Sequence, residues 1–324
     1  MGTTHARGYV SRMPLGGYGL LAALTACSDS GAAQDDGGAP DADPRLDVAA
    51  VELRPPPPGP LGCRAVDVLF MIDNSPSMRP KQERLAAAFP TFVDAMFDRL
   101  PRNTDLHVGI TTSSFTTMAT MEGHADCRTS ATPEYIMSRY QTPGMLNNNE
   151  NGGQGRLFRH EGMVFFTANT SGDREALKRW FTAAAPAVGE RSSSVECSSA
   201  GVAYVTDPAN AGVNQGFIRD LGAVMVIVAL TDEPDKSPEG ARRYHDLFVR
   251  AKEQCGGDRC IVTAGILPPC AMGANEPLYQ FLNAFGRPPT IGDIEGTSMD
   301  YTRVVGDALA RTVSELCSNI PAPP

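Results

Sequence analysis

Asp73, Ser75 and Ser77 are the residues of this chain whose types and spacing best suit the binding of a metal ion. They occupy alternate positions directly after residues 66–72, an apolar run that predicts a strand. A carboxylate and two hydroxyl groups at that spacing, carried on the end of a strand, can present three oxygens to one point. Mg²⁺ prefers oxygen ligands in near-octahedral geometry and keeps some of its water. The pattern therefore predicts a site for a small divalent cation.

The same three residues also suit a purely structural role. Asp and Ser are favoured in turns and as helix caps. A helix is predicted directly afterwards, over residues 81–100, because apolar side chains recur there every three or four positions. Pro90 is expected to kink this helix and Pro101 to end it. A second aspartate is needed to separate a cation site from a helix cap.

Asp232 supplies that second aspartate. It follows residues 223–230, a continuous apolar run rich in β-branched side chains that predicts a strand buried on both faces. In an open parallel sheet, ligands bind at the carboxyl ends of the strands, near the point where strand order reverses. Asp73 and Asp232 both lie at such ends and are expected to meet there. Glu233 and Asp235 are expected to be solvated acids of the same loop.

The remaining pattern predicts an α/β fold, a doubly wound and mostly parallel sheet flanked by helices. Predicted strands alternate with predicted helices, as in that class. Further strands are expected at 106–111, 163–167 and 260–266, and further helices at 173–185, 198–205, 241–252 and 301–316. These elements form one domain over residues 61–320, with a long loop insertion at about 113–162.

With a strand in front of it, a helix behind it and Asp232 at a second strand end, the Asp73-x-Ser75-x-Ser77 motif resembles the one that opens a von Willebrand factor type A (VWA) domain. The resemblance implies a metal-ion-dependent adhesion site (MIDAS) that holds Mg²⁺, or Mn²⁺ or Ca²⁺. It implies that Ser75 and Ser77 bind the cation directly, and that Asp73 and Asp232 act largely through water. It also implies that a partner protein completes the coordination with an acidic side chain.

The family supplies one more hydroxyl, from a threonine in a loop that opens a helix. The corresponding stretch here is residues 189–197, which contains no threonine. Ser192 is the predicted substitute, with Ser193 and Ser194 as near equals. A serine run before a helix is also typical of an N-cap or a flexible loop.

The first 60 residues predict export and a lipid anchor. Residues 1–26 carry two arginines, no acidic residue and a short apolar stretch, which is typical of a signal peptide. The sequence ending in Cys27 resembles a bacterial lipobox, which implies lipidation of Cys27 and a place in the cell envelope, at the outer membrane or cell surface. An ordinary leader with a chance match is the alternative. Residues 27–60 are acidic and end in a proline run, so we expect an extended tether.

Charge and missing motifs exclude several classes of function. The net charge is −9 and no basic stretch offers a footprint for phosphate, which argues against nucleic-acid binding. No run after the leader is long enough for a membrane-spanning helix, so a membrane would be reached through the lipid alone. Nucleophile-elbow, P-loop, zinc-protease and dinucleotide-binding motifs do not occur in the sequence. We therefore predict a protein that is not an enzyme.

The cysteines suit an exported protein. The chain has eight, and Cys63 and Cys317 lie just before the first predicted element and at the end of the last one. A disulfide between them would close the ends of the domain. Cys255 and Cys260 flank a short Gly-rich turn and could pair locally.

Three further cysteines, Cys127, Cys197 and Cys270, are expected near the cation site. They allow one disulfide and leave one thiol over, and the sequence leaves open which pair forms. Cys270 lies too far along its strand to reach the 255–260 turn. The spacing of the cysteines does not predict a zinc site.

Three functions are compatible with this pattern. The first is a lipid-anchored envelope module that binds a partner protein through a MIDAS cation. The second is a structural or assembly protein whose degenerate site works without metal, and the third is a metal-dependent hydrolase. The insertion at 113–162 leaves a strand end beside the predicted cation, so it is either a specificity loop over the site or an insertion without a fixed role.

Overall fold

The computed structural model describes residues 64–114, 151–190, 196–235, 237 and 239–317. Their strands form one six-stranded sheet in the order β3-β2-β1-β4-β5-β6, in which only β3 runs antiparallel to its neighbour. The strands are β1 (Ala65–Ile72), β2 (Asp105–Thr112), β3 (Phe165–Asn169), β4 (Ala223–Leu230), β5 (Ile261–Leu267) and β6 (Thr290–Asp293). This is the doubly wound α/β fold that the alternation of strands and helices predicts.

Helices cover both faces of the sheet, and each face has its own apolar core. The helices are α1 (Arg79–Arg99), α2 (Arg174–Ala187), α3 (Ser198–Ala203), α4 (Ala241–Ala251), α5 (Pro277–Asn283) and α6 (Ser298–Arg311). Side chains of α1, α2 and α6 pack on one face, and those of α3, α4 and α5 on the other. Within the described residues, no helix is both long and apolar enough to cross a membrane.

The central strands β1 and β4 are apolar on both sides because each side meets a layer of helices. In β1, Phe70 belongs to the core under α1 and α2, whereas Leu69 and Met71 belong to the core under α3 and α4. The register pairs Ile72 with Thr112 on one side and with Leu230 on the other. The three strands therefore end in one line, and strand order reverses between β1 and β4. This is the place where ligands bind in doubly wound sheets.

Some element boundaries differ from the sequence prediction. Helix α1 begins two residues early and continues through Pro90 to Arg99. Its apolar face is deeply buried, and this packing offsets the hydrogen bond that proline cannot donate. Strand β6 and helix α5 were not predicted. Both are short, with four and seven residues, and their polar and glycine residues dilute the periodic signal.

The local disulfide between Cys255 and Cys260 is confirmed. Cys197 and Cys317 are disulfide-bonded as well. Cys270 carries a free, exposed thiol, so of the three cysteines expected near the cation site it is the one left over. It lies in a short 3₁₀ turn after β5, where its side chain faces solvent. The predicted positions Cys27, Cys63 and Cys127 lie outside the described residues.

Candidate functional site at the carboxyl ends of β1 and β4

Asp73 lies at the centre of the site and is completely buried. Its backbone N–H donates to the carbonyl of Leu230 at 2.8 Å, which extends the pairing of β1 with β4 by one residue. The Ser75 N–H (2.8 Å) and the Ser113 hydroxyl (3.1 Å) donate to Oδ1, and the Thr231 hydroxyl donates to Oδ2 at 2.6 Å. Residues that follow β1, β2 and β4 thus converge on one carboxylate.

Burial raises the pKa of the Asp73 carboxylate. The pKa of Asp73 is raised from 3.8 to about 6, chiefly because burial removes the carboxylate from water. The nearby charge of Asp232 contributes to the rise, and the three hydrogen bonds oppose it. A buried carboxylate with no cation against it is costly when ionised. A divalent cation nearby would remove most of that cost.

The two serines of the motif lie on the outer side of Asp73. Ser75 is buried and Ser77 is exposed, and their hydroxyl oxygens are 3.3 Å apart. The loop is held from behind by Gln82 of α1, whose Nε2 donates to the carbonyl oxygens of Asp73 and Gly189 at 2.9 and 3.0 Å. Two hydroxyl oxygens at that separation can be adjacent ligands of one cation.

Asp232 faces the same region from the end of β4. Its side chain is 10% exposed, and Oδ2 accepts a hydrogen bond from the ammonium group of Lys81 at 3.0 Å. The other oxygen, Oδ1, is buried and has no hydrogen-bond partner among the described residues. A buried carboxylate oxygen without a partner is expensive unless a cation or an ordered water satisfies it.

Basic residues at the start of α1 form ion pairs with acidic residues of the surrounding loops. Arg79 pairs with Glu190 after α2 at 3.1 Å, and Arg84 pairs with Glu295 after β6 at 3.2 Å. Lys81 pairs with Asp232 and also with Glu295, at 3.4 Å. Burial alone would lower the pKa of Lys81, but these two carboxylates raise it overall. The first turn of α1 contains no acidic residue, so this end of the helix is strongly positive.

The loop that should supply the fifth ligand is only partly described. Ser192, Ser193 and Ser194 lie outside the described residues, so the Ser192 assignment stays a prediction. Cys197, which follows this serine run, lies close to the site. Its N–H donates to the carbonyl of Ser113 at 3.0 Å, and Ser113 itself contacts Asp73. The hydroxyl of Ser198, at the start of α3, is buried and has no hydrogen-bond partner in the part of the chain that the structure describes.

Asp235 is not the solvated acid that the sequence suggested. It is buried, and it accepts hydrogen bonds from Ser237 (N–H 3.0 Å, hydroxyl 2.6 Å) and from the Ser199 N–H at 3.3 Å. Burial raises its pKa. Asp235 is buried because the first turn of α3 contacts the loop after β4. Asp235 accepts the Ser199 N–H, and the Ser237 hydroxyl accepts the Ala200 N–H at 3.0 Å, which satisfies two of the free N–H groups at the start of the helix.

Sequence reasoning missed three residues that complete the site. Ser113 and Thr231 each follow directly on a buried strand, so their positions at the ends of β2 and β4 could have identified them. Lys81 gave no such signal, because a lysine in the first turn of an amphipathic helix normally faces solvent. Its contact with Asp232 joins residues 151 positions apart.

The residues present fit a hydroxyl-rich cation site. The described residues contain no group of three or more His, Cys, Asp or Glu side chains that could hold a metal ion. The oxygens offered here are instead the hydroxyls of Ser75 and Ser77 and the unpartnered Oδ1 of Asp232. Because three protein donors already engage Asp73, that carboxylate suits a water-mediated role. A hard cation that keeps part of its water, such as Mg²⁺, suits such a set.

Comparisons with known proteins add little. No protein-family model matches the chain, and no curated protein matches it. Among solved structures, the chain is similar to proximal thread matrix protein 1 from the mussel byssus, at 10% identity and a TM-score of 0.40. The match covers 78% of this chain and 48% of the byssus protein, so the chain spans about half of that protein's length. Similarity at this level carries no functional argument.

Proposed function

We propose that this chain is a VWA-type binding module that holds a divalent cation in a MIDAS and binds an acidic side chain of a partner protein through it. Ser75 and Ser77 bind the cation directly, and Asp73 and Asp232 hold it largely through water. Ser192, or one of its neighbours, supplies the remaining hydroxyl. Mg²⁺ is the expected occupant, with Mn²⁺ or Ca²⁺ as substitutes.

The observation that carries this proposal is the convergence of the β1 and β4 ends on one buried carboxylate. The Thr231 hydroxyl reaches Asp73 at 2.6 Å, so the two loops that carry the aspartates are in direct contact. The serine hydroxyls lie together on the outer side of this contact, and Asp232 keeps one buried oxygen that no described residue contacts through a hydrogen bond. A structural cap would have no need for that second, unsatisfied carboxylate oxygen.

The roles of the residues follow from their burial. Asp73 is buried and supplies negative charge behind the site, whereas Ser77 is exposed and lies on the side from which a partner would approach. When bound, the cation supplies an open coordination position with Lewis-acid character. The protein supplies the rigid loops, held by Gln82 and Thr231, that keep the hydroxyl groups in place.

The proposed setting is the bacterial cell envelope. Residues 1–26 act as the signal peptide, Cys27 carries the lipid, and residues 27–60 form the tether that holds residues 61–320 away from the membrane. The negative net charge supports a domain held off an anionic lipid surface rather than one lying on it.

A metal-independent assembly module is the second candidate, and one observation favours it. The ammonium group of Lys81 already pairs with Asp232 at 3.0 Å, so part of the charge that a cation would neutralise is neutralised by the protein. In that case the partner would bind through surface loops, and Asp73 would serve only to join the ends of β1 and β4.

Calorimetric titration of the purified chain with Mg²⁺ and Mn²⁺ separates these candidates. The wild type is expected to bind one equivalent, and Asp73→Ala to bind none while keeping its circular dichroism spectrum. Asp94→Ala is the matched control, because it removes a half-buried acid of α1 that pairs with Arg174 and Lys178 away from the site. Equal heats for the wild type and Asp73→Ala would contradict the proposed site.

A further inference from the structure

We propose that Lys81 is a built-in counter-cation of this site, one that stabilises the metal-free protein and weakens its binding of a divalent cation. The inference rests on the proposed function, since it concerns the affinity of the same site. Lys81 lies outside the motif, and its charge raises the cation concentration that is needed to fill the site.

The position of the ammonium group carries the inference. Nζ of Lys81 donates to Oδ2 of Asp232 at 3.0 Å and to the backbone carbonyl of Ser77 at 3.3 Å, and it lies 3.4 Å from Oε1 of Glu295. Two of these three residues are proposed cation ligands. The side chain is only 14% exposed, so these contacts are poorly screened by water.

Lys81 is held in this position by the geometry of α1. The lysine lies in the first turn of the helix that starts directly after the Asp73 loop, and the Lys81 and Gln82 N–H groups both donate to the carbonyl of Met78 at 2.9 Å. A basic residue there is unfavourable next to the positive end of the helix dipole. The carboxylates of Asp232 and Glu295 offset this cost, so the lysine and the acids stabilise one another while no metal is bound.

A divalent cation and this ammonium group compete for the same negative charge. Two like charges a few ångströms apart repel strongly at the effective dielectric of a protein surface. The cation must therefore either displace the ammonium group from Asp232 or share that carboxylate with it. In both cases the affinity is lower than that of the same oxygens without the lysine.

Calorimetry of Lys81→Gln tests the inference. Glutamine keeps a polar side chain of similar length without the charge, and we expect it to bind Mg²⁺ and Mn²⁺ about 10- to 100-fold more tightly than the wild type. Lys178→Gln is the matched control: Lys178 is 16% exposed and also pairs with two carboxylates, but those lie on α1 and α2, away from the site. Its affinity should equal that of the wild type.

Thermal melts show whether the variants fold and give an independent measurement. In EDTA, Lys81→Gln should melt a few degrees below the wild type because Asp232 loses its partner, and at saturating Mg²⁺ the order should reverse. If Lys81 instead orients Asp232 for the metal, Lys81→Gln will bind more weakly, and the inference is overturned.

The outcomes also separate this inference from the proposed function. If the wild type binds metal and Lys81→Gln binds no more tightly, only the inference fails. If Lys81→Gln binds metal and the wild type does not, the inference stands and the metal-dependent function of the wild type fails. If neither protein binds, both fail.

Discussion

At pH 8, saturating Mg²⁺ is expected to raise the melting temperature of the wild type by about 5–10 °C and to leave that of Asp73→Asn unchanged. Ligand at about 100 times its Kd stabilises a native protein by about 2.7 kcal/mol. In a domain of this size, each kcal/mol corresponds to about 2–4 °C. Asparagine preserves the shape of the side chain but removes the charge that the cation needs.

Without metal the order of stability should be reversed, with Asp73→Asn above the wild type. Burial raises the pKa of Asp73 from 3.8 to about 6, so keeping this carboxylate ionised in the native state costs about 3 kcal/mol. Asp73→Asn has no buried charge and so avoids this cost, but the asparagine side chain accepts hydrogen bonds less well than a carboxylate does. We therefore expect a net gain of about 1–3 kcal/mol in the free energy of unfolding at pH 8.

The stability of the metal-free wild type relative to Asp73→Asn should fall as the pH rises. The pKa of Asp73 is higher in the native state than in the unfolded chain, so the native state binds the extra proton between about pH 4 and pH 6. The contribution of Asp73 to stability is therefore fully present below about pH 4 and is lost as the pH rises through 6. Denaturant titrations of both proteins in EDTA from pH 4 to 8 measure it. Parallel curves, or a less stable Asp73→Asn at pH 8, would contradict the account.

Asp67→Ala is expected to cost about 3–5 kcal/mol of stability while leaving the cation affinity unchanged. Asp67 lies in the first half of β1 and is completely buried. Arg219 donates to it from its backbone N–H and from Nε, both at 2.8 Å, and the ammonium group of Lys252 lies 3.9 Å away. Removing the acid leaves two cations without their buried counter-charge, which is a strongly destabilising change.

The perturbed proton affinities around Asp67 support this expectation. Burial raises the pKa of Asp67 even though Arg219 and Lys252 oppose the rise. Burial also lowers the pKa of Lys252 to about 8, against the opposing effect of Asp67. The loss of Asp67 therefore removes a buried carboxylate that contacts Arg219 and lies 3.9 Å from the ammonium group of Lys252. Lys252 keeps its hydrogen bonds to the carbonyls of Arg219 and Ala223 but loses this nearby negative charge.

Asp105→Ala is the matched control for Asp67→Ala. Asp105 pairs with the same arginine at 2.7 Å, but its side chain is 48% exposed. Its loss is expected to cost less than about 1 kcal/mol. Urea denaturation of both variants at pH 7 measures the difference. Equal costs for the two would show that burial of the pair is not what makes Asp67 important.

The sequence predicted the scaffold and the two aspartates for a clear physical reason. Residues 66–72 and 223–230 are apolar on both faces, and such runs have few alternatives to central strands. Once both are placed in one parallel sheet, Asp73 and Asp232 must emerge at the same edge. The contact between the two loops, at 2.6 Å from Thr231 to Asp73, agrees with that reasoning.

The parts that could not be predicted depend on contacts between residues far apart in the chain. The burial of Asp235 depends on how α3 packs over the loop after β4, which leaves no periodic pattern in the sequence. The ion pair between Lys81 and Asp232 likewise joins two elements whose relative position only the folded sheet fixes. Ser113 could have been found, because a serine directly after a buried strand lies at the same edge as Asp73.

A crystal of the chain grown with Mn²⁺, with anomalous differences recorded at the manganese edge, would show whether a divalent cation lies at the carboxyl ends of β1 and β4. We expect one strong peak in bonding contact with the hydroxyl oxygens of Ser75 and Ser77, with Asp73 and Asp232 reached through water. A well-ordered site without a peak, in which Lys81 still pairs with Asp232, would contradict the claim that this edge of the sheet holds a divalent cation.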